Sequence, residues 1–264
     1  MVVQKLHLSI RAQKLPNVAG MFKGTSDPFA VVTLSTQDRN VPPYKAGRTE
    51  TVKNNLDPDF IKILPIDYDP DVPLSATVKI FDENSKDDNE EMATATFDVG
   101  AVLAAKGSTK SKELKRGGII HLRVEEAKGS GSLKLKLSGN TLKNTEGFMK
   151  KSDPFYQFER KDIGLRGTEW NIVHQSSPVM NNLDPEWDEE NIDLSILCRG
   201  ELEEVLRFSV MDYESSGDHV LMGQVEMSVN DFINAFKEDK PFDLEKKGKD
   251  TSRGTIVVGL AAIE

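Results

Sequence analysis

Two acidic sets, one in each half of the chain, are the side chains best suited to chemistry. Asp27 lies in ThrSerAspProPhe (25–29), and Asp82, Asn84 and Glu90 follow about 55–60 residues later. Asp153 lies in LysSerAspProPhe (151–155), with Asp212, Glu214 and Asp218 following at a similar distance. Hard oxygen donors brought together from two loops suit Ca2+, which takes about six to eight oxygens in a flexible geometry. Solvated acidic loops have the same composition, so the residue types alone leave both readings open. A second repeated feature precedes each aspartate: Met21, Phe22 and Lys23 in the first half, and Phe148, Met149, Lys150 and Lys151 in the second. Large apolar side chains beside lysine suit shallow insertion among lipid headgroups, with the ammonium on phosphate. They equally suit folding back over their own loop.

Catalytic constellations are missing from the pattern, and no enzyme is expected. His7, His121, His174 and His219 show no metal-ligand spacing. The single cysteine, Cys198, has no evident base beside it and reads as a small buried thiol. No Gly-rich phosphate loop or nucleophile elbow occurs. The formal net charge of −9 disfavours nucleic acid. It also opposes an anionic lipid surface unless a basic patch or a bound cation reverses the sign locally. One thiol, no signal-peptide pattern, no run approaching the ~20 apolar residues of a membrane span and no lipidation signal lead us to expect a cytoplasmic protein, peripheral at membranes.

The elements that must carry these residues come in duplicate. LysAsnAsnLeuAspProAspPhe (53–60) returns as MetAsnAsnLeuAspProGluTrp (180–187), and PheAspGluAsn (81–84) as MetAspTyrGlu (211–214). Three signatures in one order, about 127 residues apart, mean one fold used twice. Alternation predicts strands around Leu6–Ile10 and over 29–35, 60–66, 75–81, 93–98 and 119–124. In the second half it predicts them around Leu133–Leu137 and over 155–160, 169–175, 190–195, 203–211, 222–228 and 254–261. Short strands at this spacing imply an antiparallel sandwich or barrel. Short helices are predicted at 99–105 and 228–236, with Asn230 as a cap. The Gly/Ser-rich stretch near 127–132 reads as a linker between domains at 1–126 and 133–264. AsnAsnLeuAspPro reads as turn chemistry, with Phe60 and Trp187 as core anchors behind it.

SerAspProPhe, AsnAsnLeuAspPro and an Asp-x-Asp-like pair, in that order and twice, resemble C2 domains. The tandem C2 domains of copines are nearest in texture, and synaptotagmins resemble the chain more loosely. Copines follow the pair with a von Willebrand factor A-type domain, for which residues 1–264 hold no segment. The resemblance implies an all-β fold, two eight-stranded antiparallel β-sandwiches in tandem with short helices in late loops. It also implies phospholipid binding, often through Ca2+ held at one end. Five acidic ligand positions belong to the family pattern. The first, six residues before the SerAspPro aspartate, falls on Met21 and Gly147, neither of which can ligate, although Glu146 adjoins the latter. Asp27, Asp82, Asn84 and Glu90 match or substitute in the first half. Asp153, Asp212 and Glu214 do so in the second, with Asp218 two residues from the last position. On this count the first half is the better Ca2+ site. A phosphoinositide patch of the kind some C2 domains carry would use Lys45, Arg48 and Lys53, or Arg160, Lys161 and Arg166. The alternative to a membrane-binding module is a Ca2+-independent protein–protein scaffold on degenerate C2 domains.

Overall fold

Period-two alternation dictates the first element. In β1 (Gln4–Gln13) Leu6, Leu8, Ile10 and Ala12 are buried while Lys5 and Gln13 are not. The computed structural model describes residues 3–19, 24–38, 40–83, 89–147, 150–164, 167–245 and 253–264. The chain divides into two compact units, the first centred on Met1–Ala127, the second on Lys128–Asp162 and Thr168–Glu264.

In the first unit β1 is followed by β2 (Pro28–Thr36), β3 (Tyr44–Arg48), β4 (Leu64–Tyr68), β5 (Leu74–Asp82) and β6 (Glu90–Asp98). Helix α1 (Val99–Leu103), β7 (Thr109–Glu113) and β8 (Ile119–Glu126) complete it. Two antiparallel four-stranded sheets result, in the orders β4-β1-β8-β7 and β3-β2-β5-β6. The core between them is aliphatic, built on Leu6, Leu8, Val32, Leu34, Val78, Ile80, Ile120 and Leu122. Strands β3 and β7 escape the sequence pattern because they lie at sheet edges and bury almost nothing. Residues 60–63 of the predicted 60–66 strand precede β4 rather than belonging to it.

The second unit repeats the plan with β9 (Ser132–Asn140), β10 (Pro154–Gly164), β11 (Gly167–Gln175), β12 (Glu190–Asp193), α2 (Leu194–Leu197), β13 (Leu206–Asp212), β14 (Val220–Met227), α3 (Val229–Lys237), β15 (Phe242–Asp243) and β16 (Thr255–Ile263). Its sheets run β12-β9-β16-β15 and β11-β10-β13-β14, again antiparallel where paired. The core here is aromatic. Phe158, Phe208 and Phe232 sit 5.3–5.6 Å apart in tilted and edge-to-face pairs, each worth about 0.5–1.5 kcal/mol beyond burial. Cys198 is fully buried, and burial pushes its thiol up, away from reactivity. Helix α3 is capped by Ser228 in a reciprocal capping box with Asp231, not by the predicted Asn230. The cap lies where the extended strand backbone ends, one residue before Val229. No helix among the described residues is long and apolar enough to cross a membrane.

Candidate functional site

The repeated motifs converge at the same end of each unit, and backbone amides fix their geometry. Asn54 and Asn181 adopt left-handed backbone (φ 51 and 57). In that conformation their N–H groups donate to Asp27 Oδ1 at 2.7 Å and to Asp153 Oδ1 at 2.6 Å. The second asparagine of each motif closes a turn on the following aspartate, Asn55 on the Asp57 amide and Asn182 on the Asp184 amide. Those aspartates in turn accept from the amides of Lys14 and Thr141 at the end of the first strand. Behind them Phe60 and Trp187 are buried, and the Trp187 indole donates to the Pro154 carbonyl at 3.1 Å. The motif is turn chemistry with core anchors, as its composition predicts. It also orients the SerAspPro carboxylate, which sequence reasoning missed.

A second tie joins the other loop. Asp82 and Asp212, both buried, accept from the amides of Asp27 and Asp153 at 2.6 and 2.7 Å. Ser26 and Ser152 are fully buried, and each is bonded to an asparagine the sequence reading did not single out, Asn17 or Asn144. The Asn144 amide group reaches on to the carbonyls of Gly147 and Lys150, folding the loop before Ser152 into shape.

In the second unit this frame gathers carboxylates. Glu146, Asp212 and Glu214 bring oxygens within 4.8 Å of one another. Gly147 takes a left-handed φ of 85 that few other residues tolerate, turning the chain directly after Glu146. Glu146, one residue before the position the family pattern assigns to Gly147, is thus the acid that joins the cluster. The signal is legible as Glu146 beside Gly147, but strict spacing discards it. Lys150 lies over the cluster, its ammonium 2.8 Å from Glu146 and 3.8 Å from Asp153. The bond to Glu146 and the nearby acids hold this lysine above its ordinary range. Asp218 is exposed and stands outside the cluster, its amide turned to Ser216. His219 accepts from the Glu214 amide at 3.0 Å and packs on Phe155 and Tyr213, and burial lowers its basicity. Met180, in the turn before Asn181, and Val220, at the start of β14 opposite Asp212, are 61% and 40% exposed. These hard donors fit Ca2+, with coordination left for main-chain, water or lipid oxygens.

The first unit differs. Asp27 Oδ2 is met by the Lys53 ammonium at 3.1 Å, which also lies 3.5 Å from Glu83. The Arg48 guanidinium pairs with Glu83 and covers the Phe29 ring at 3.7 Å. Burial pushes Glu83 up, but Arg48, Thr51 and Lys53 outweigh it and hold the carboxyl below its usual range. Glu90 is exposed at the start of β6, opposite Asp82. Among the described residues the second unit gathers three acids, while Asn84 of the predicted first-unit set lies outside them. Asn84, Met21, Phe22, Lys23, Phe148 and Met149 lie outside the described residues, while Lys151 is exposed.

Ion pairing takes up two members of the first predicted cationic patch, and burial removes Arg160 from the second. Arg48 and Lys53 are taken up by Glu83 and Asp27, leaving Lys45 exposed on β3. Arg160 is 3% exposed, because strand alternation points it inward with Tyr156 and Phe158. There it bonds Asp162 and the Ile196 carbonyl, so it faces no lipid. Lys161 rests on the Trp170 ring at 4.6 Å, and Arg166 lies outside the described residues.

A family model described as "C2 domain" matches residues 4–114 and again 131–244. Copine-D of Dictyostelium discoideum is 28% identical over 255 residues, covering 90% of this chain and 46% of its own. The chain thus spans about half the length of that curated relative. Among solved structures, the second C2 domain of BON1 is similar at 19% identity and a TM-score of 0.45, covering 53% of this chain and 95% of that one. The calcium-bound pair of C2 domains of Extended-Synaptotagmin 2 is similar at 16% identity and a TM-score of 0.35, covering 99% and 97%.

Proposed function

The chain belongs to the C2 domain family, and on that premise we propose that it is a peripheral phospholipid-binding protein whose second unit tunes attachment through Ca2+. The observation that carries this reading is the convergence of Glu146, Asp212 and Glu214 at a loop end flanked by exposed Met180 and Val220. Asp212 and Glu214 hold their places through the Asp153 and His219 contacts, and Glu146 through its glycine turn. Lys150 is exposed and free to leave the cluster for a lipid phosphate. When bound, Ca2+ supplies the positive charge that a chain of net charge −9 needs at an anionic surface. Met180, Val220 and, from the sequence, Phe148 and Met149 supply apolar contact with the headgroup region, as Met21 and Phe22 with Lys23 do for the first unit. In a cell the protein would then act at the cytoplasmic face of membranes.

Vesicle co-sedimentation with Ca2+ and with chelator tests the reading. Pelleting with anionic vesicles that strengthens in Ca2+ supports it. No pelleting in either condition, on anionic or neutral vesicles, refutes it in favour of a protein-binding scaffold.

A further inference from the structure

The two units share one loop frame, which makes each a reference for the other. The amides of Thr49, Val52 and Asn55 donate to the carbonyls of Ala30, Pro28 and Ser26. Those of Ser176, Val179 and Asn182 donate in the same way to Tyr156, Pro154 and Ser152. The Glu83 amide on the Asp27 carbonyl corresponds to the Tyr213 amide on that of Asp153. In this register Arg48, Lys53 and Glu83 correspond to Gln175, Met180 and Tyr213. A complete charge network in one unit is thus replaced by three uncharged side chains in the other.

We propose that Lys53 is a built-in cation of the first unit, its ammonium filling the place beside Asp27 that a divalent ion would take, so that this loop end works without metal while the second responds to it. The inference rests on the loop-end reading above. Both Asp27 oxygens are satisfied, Oδ1 by the Asn54 amide and Oδ2 by Lys53 at 3.1 Å. Asp153 has the matching amide on Oδ1, but the ammonium nearest its Oδ2 is 3.8 Å away, beyond hydrogen-bond distance. Lys53 lies between Asp27 and Glu83, and Arg48 pairs with Glu83 from the other side. No acid triad forms there among the described residues. A tethered ammonium competes intramolecularly, and no chelator removes it.

Calorimetric Ca2+ titration of the full chain tests this, with Asp212→Asn/Glu214→Gln silencing the second unit. The silenced chain is expected to bind no Ca2+. Adding Lys53→Met or Lys53→Gln is expected to restore a measurable Ca2+ binding isotherm, from the repulsion removed, and Asp27→Asn should abolish it. Circular dichroism confirms that each variant folds. Ca2+ binding by the silenced chain that depends on Asp27 while Lys53 is intact overturns the proposal. So does failure of both folded Lys53 variants to gain binding. If the unaltered chain binds no Ca2+ but the Lys53 variants do, the second-unit site falls and the role of Lys53 stands.

Discussion

Glu214→Gln separates a cation site from an ordinary acidic surface, because its effect should depend on Ca2+. Glu214, Asp212 and Glu146 carry oxygens within 4.8 Å of one another. Two unit charges at that distance repel by about 0.9 kcal/mol in bulk water and about 3.5 kcal/mol at an effective dielectric constant near 20. Glu214 is part-exposed and Lys150 already offsets Glu146, so the lower end applies. Removing the charge should stabilise the metal-free protein by about 1 kcal/mol, or about 3–5 °C in Tm for a unit of this size. The backbone ties survive, since the contact to His219 uses the Glu214 amide and not its side chain. With Ca2+ at about a hundredfold over Kd, binding stabilises the unaltered protein by about 2.7 kcal/mol. Tenfold weaker binding leaves about 1.4 kcal/mol. Scanning calorimetry in chelator and in Ca2+ should therefore find a higher Tm in chelator and a Ca2+-induced shift about halved. A variant with lower Tm in chelator and an unchanged Ca2+ shift would refute the reasoning, because Glu214 would then serve the fold and not the ion.

Met180→Ala removes an exposed apolar side chain at the loop end and should weaken vesicle binding about fivefold, roughly 1 kcal/mol, without moving Tm. Unchanged binding by co-sedimentation would exclude Met180 from the membrane contact. Trp187→Phe should cost about 1–3 kcal/mol in chemical denaturation, from the lost indole bond to Pro154 and the space left. The cost stays moderate because the Pro154 carbonyl keeps the Val179 amide, and a loss above about 4 kcal/mol would contradict this. Glu190 accepts from Tyr156 and from His174 at 2.7 Å, and these bonds hold its carboxyl below the usual range despite burial. Its stabilising contribution is present above the unfolded carboxylate value of about 4.3 and is lost as pH falls through the depressed folded value. Glu190→Gln should thus flatten the acid limb of the stability–pH curve, and an unaltered limb would assign that slope elsewhere.

The duplication, the sandwich class and most strands were legible because burial on one face imposes alternation. The edge strands β3 and β7 were not, since their exposed side chains carry no such signal. At the site, ligand counting pointed to the first unit because Asp27, Asp82 and Glu90 occupy the right places in sequence. It could not register that Lys53, counted as part of a basic patch, turns onto Asp27. Nor could it register that Gly147 turns the chain so that Glu146 joins the cluster. Arg160 failed for a related reason, because its inward orientation depends on the phase of β10 and on finding Asp162 as a partner. Identity and spacing were readable, but side-chain direction was not.

Because the loop geometry is carried by main-chain amides meeting Asn, Ser and Asp, the intervening side chains can be rewritten without rebuilding the scaffold. Lys53 and Met180 occupy corresponding places on the same backbone bonds, so a single codon there can change what the loop answers to. The two copies thus differ in charge at the loop end while sharing one main-chain frame.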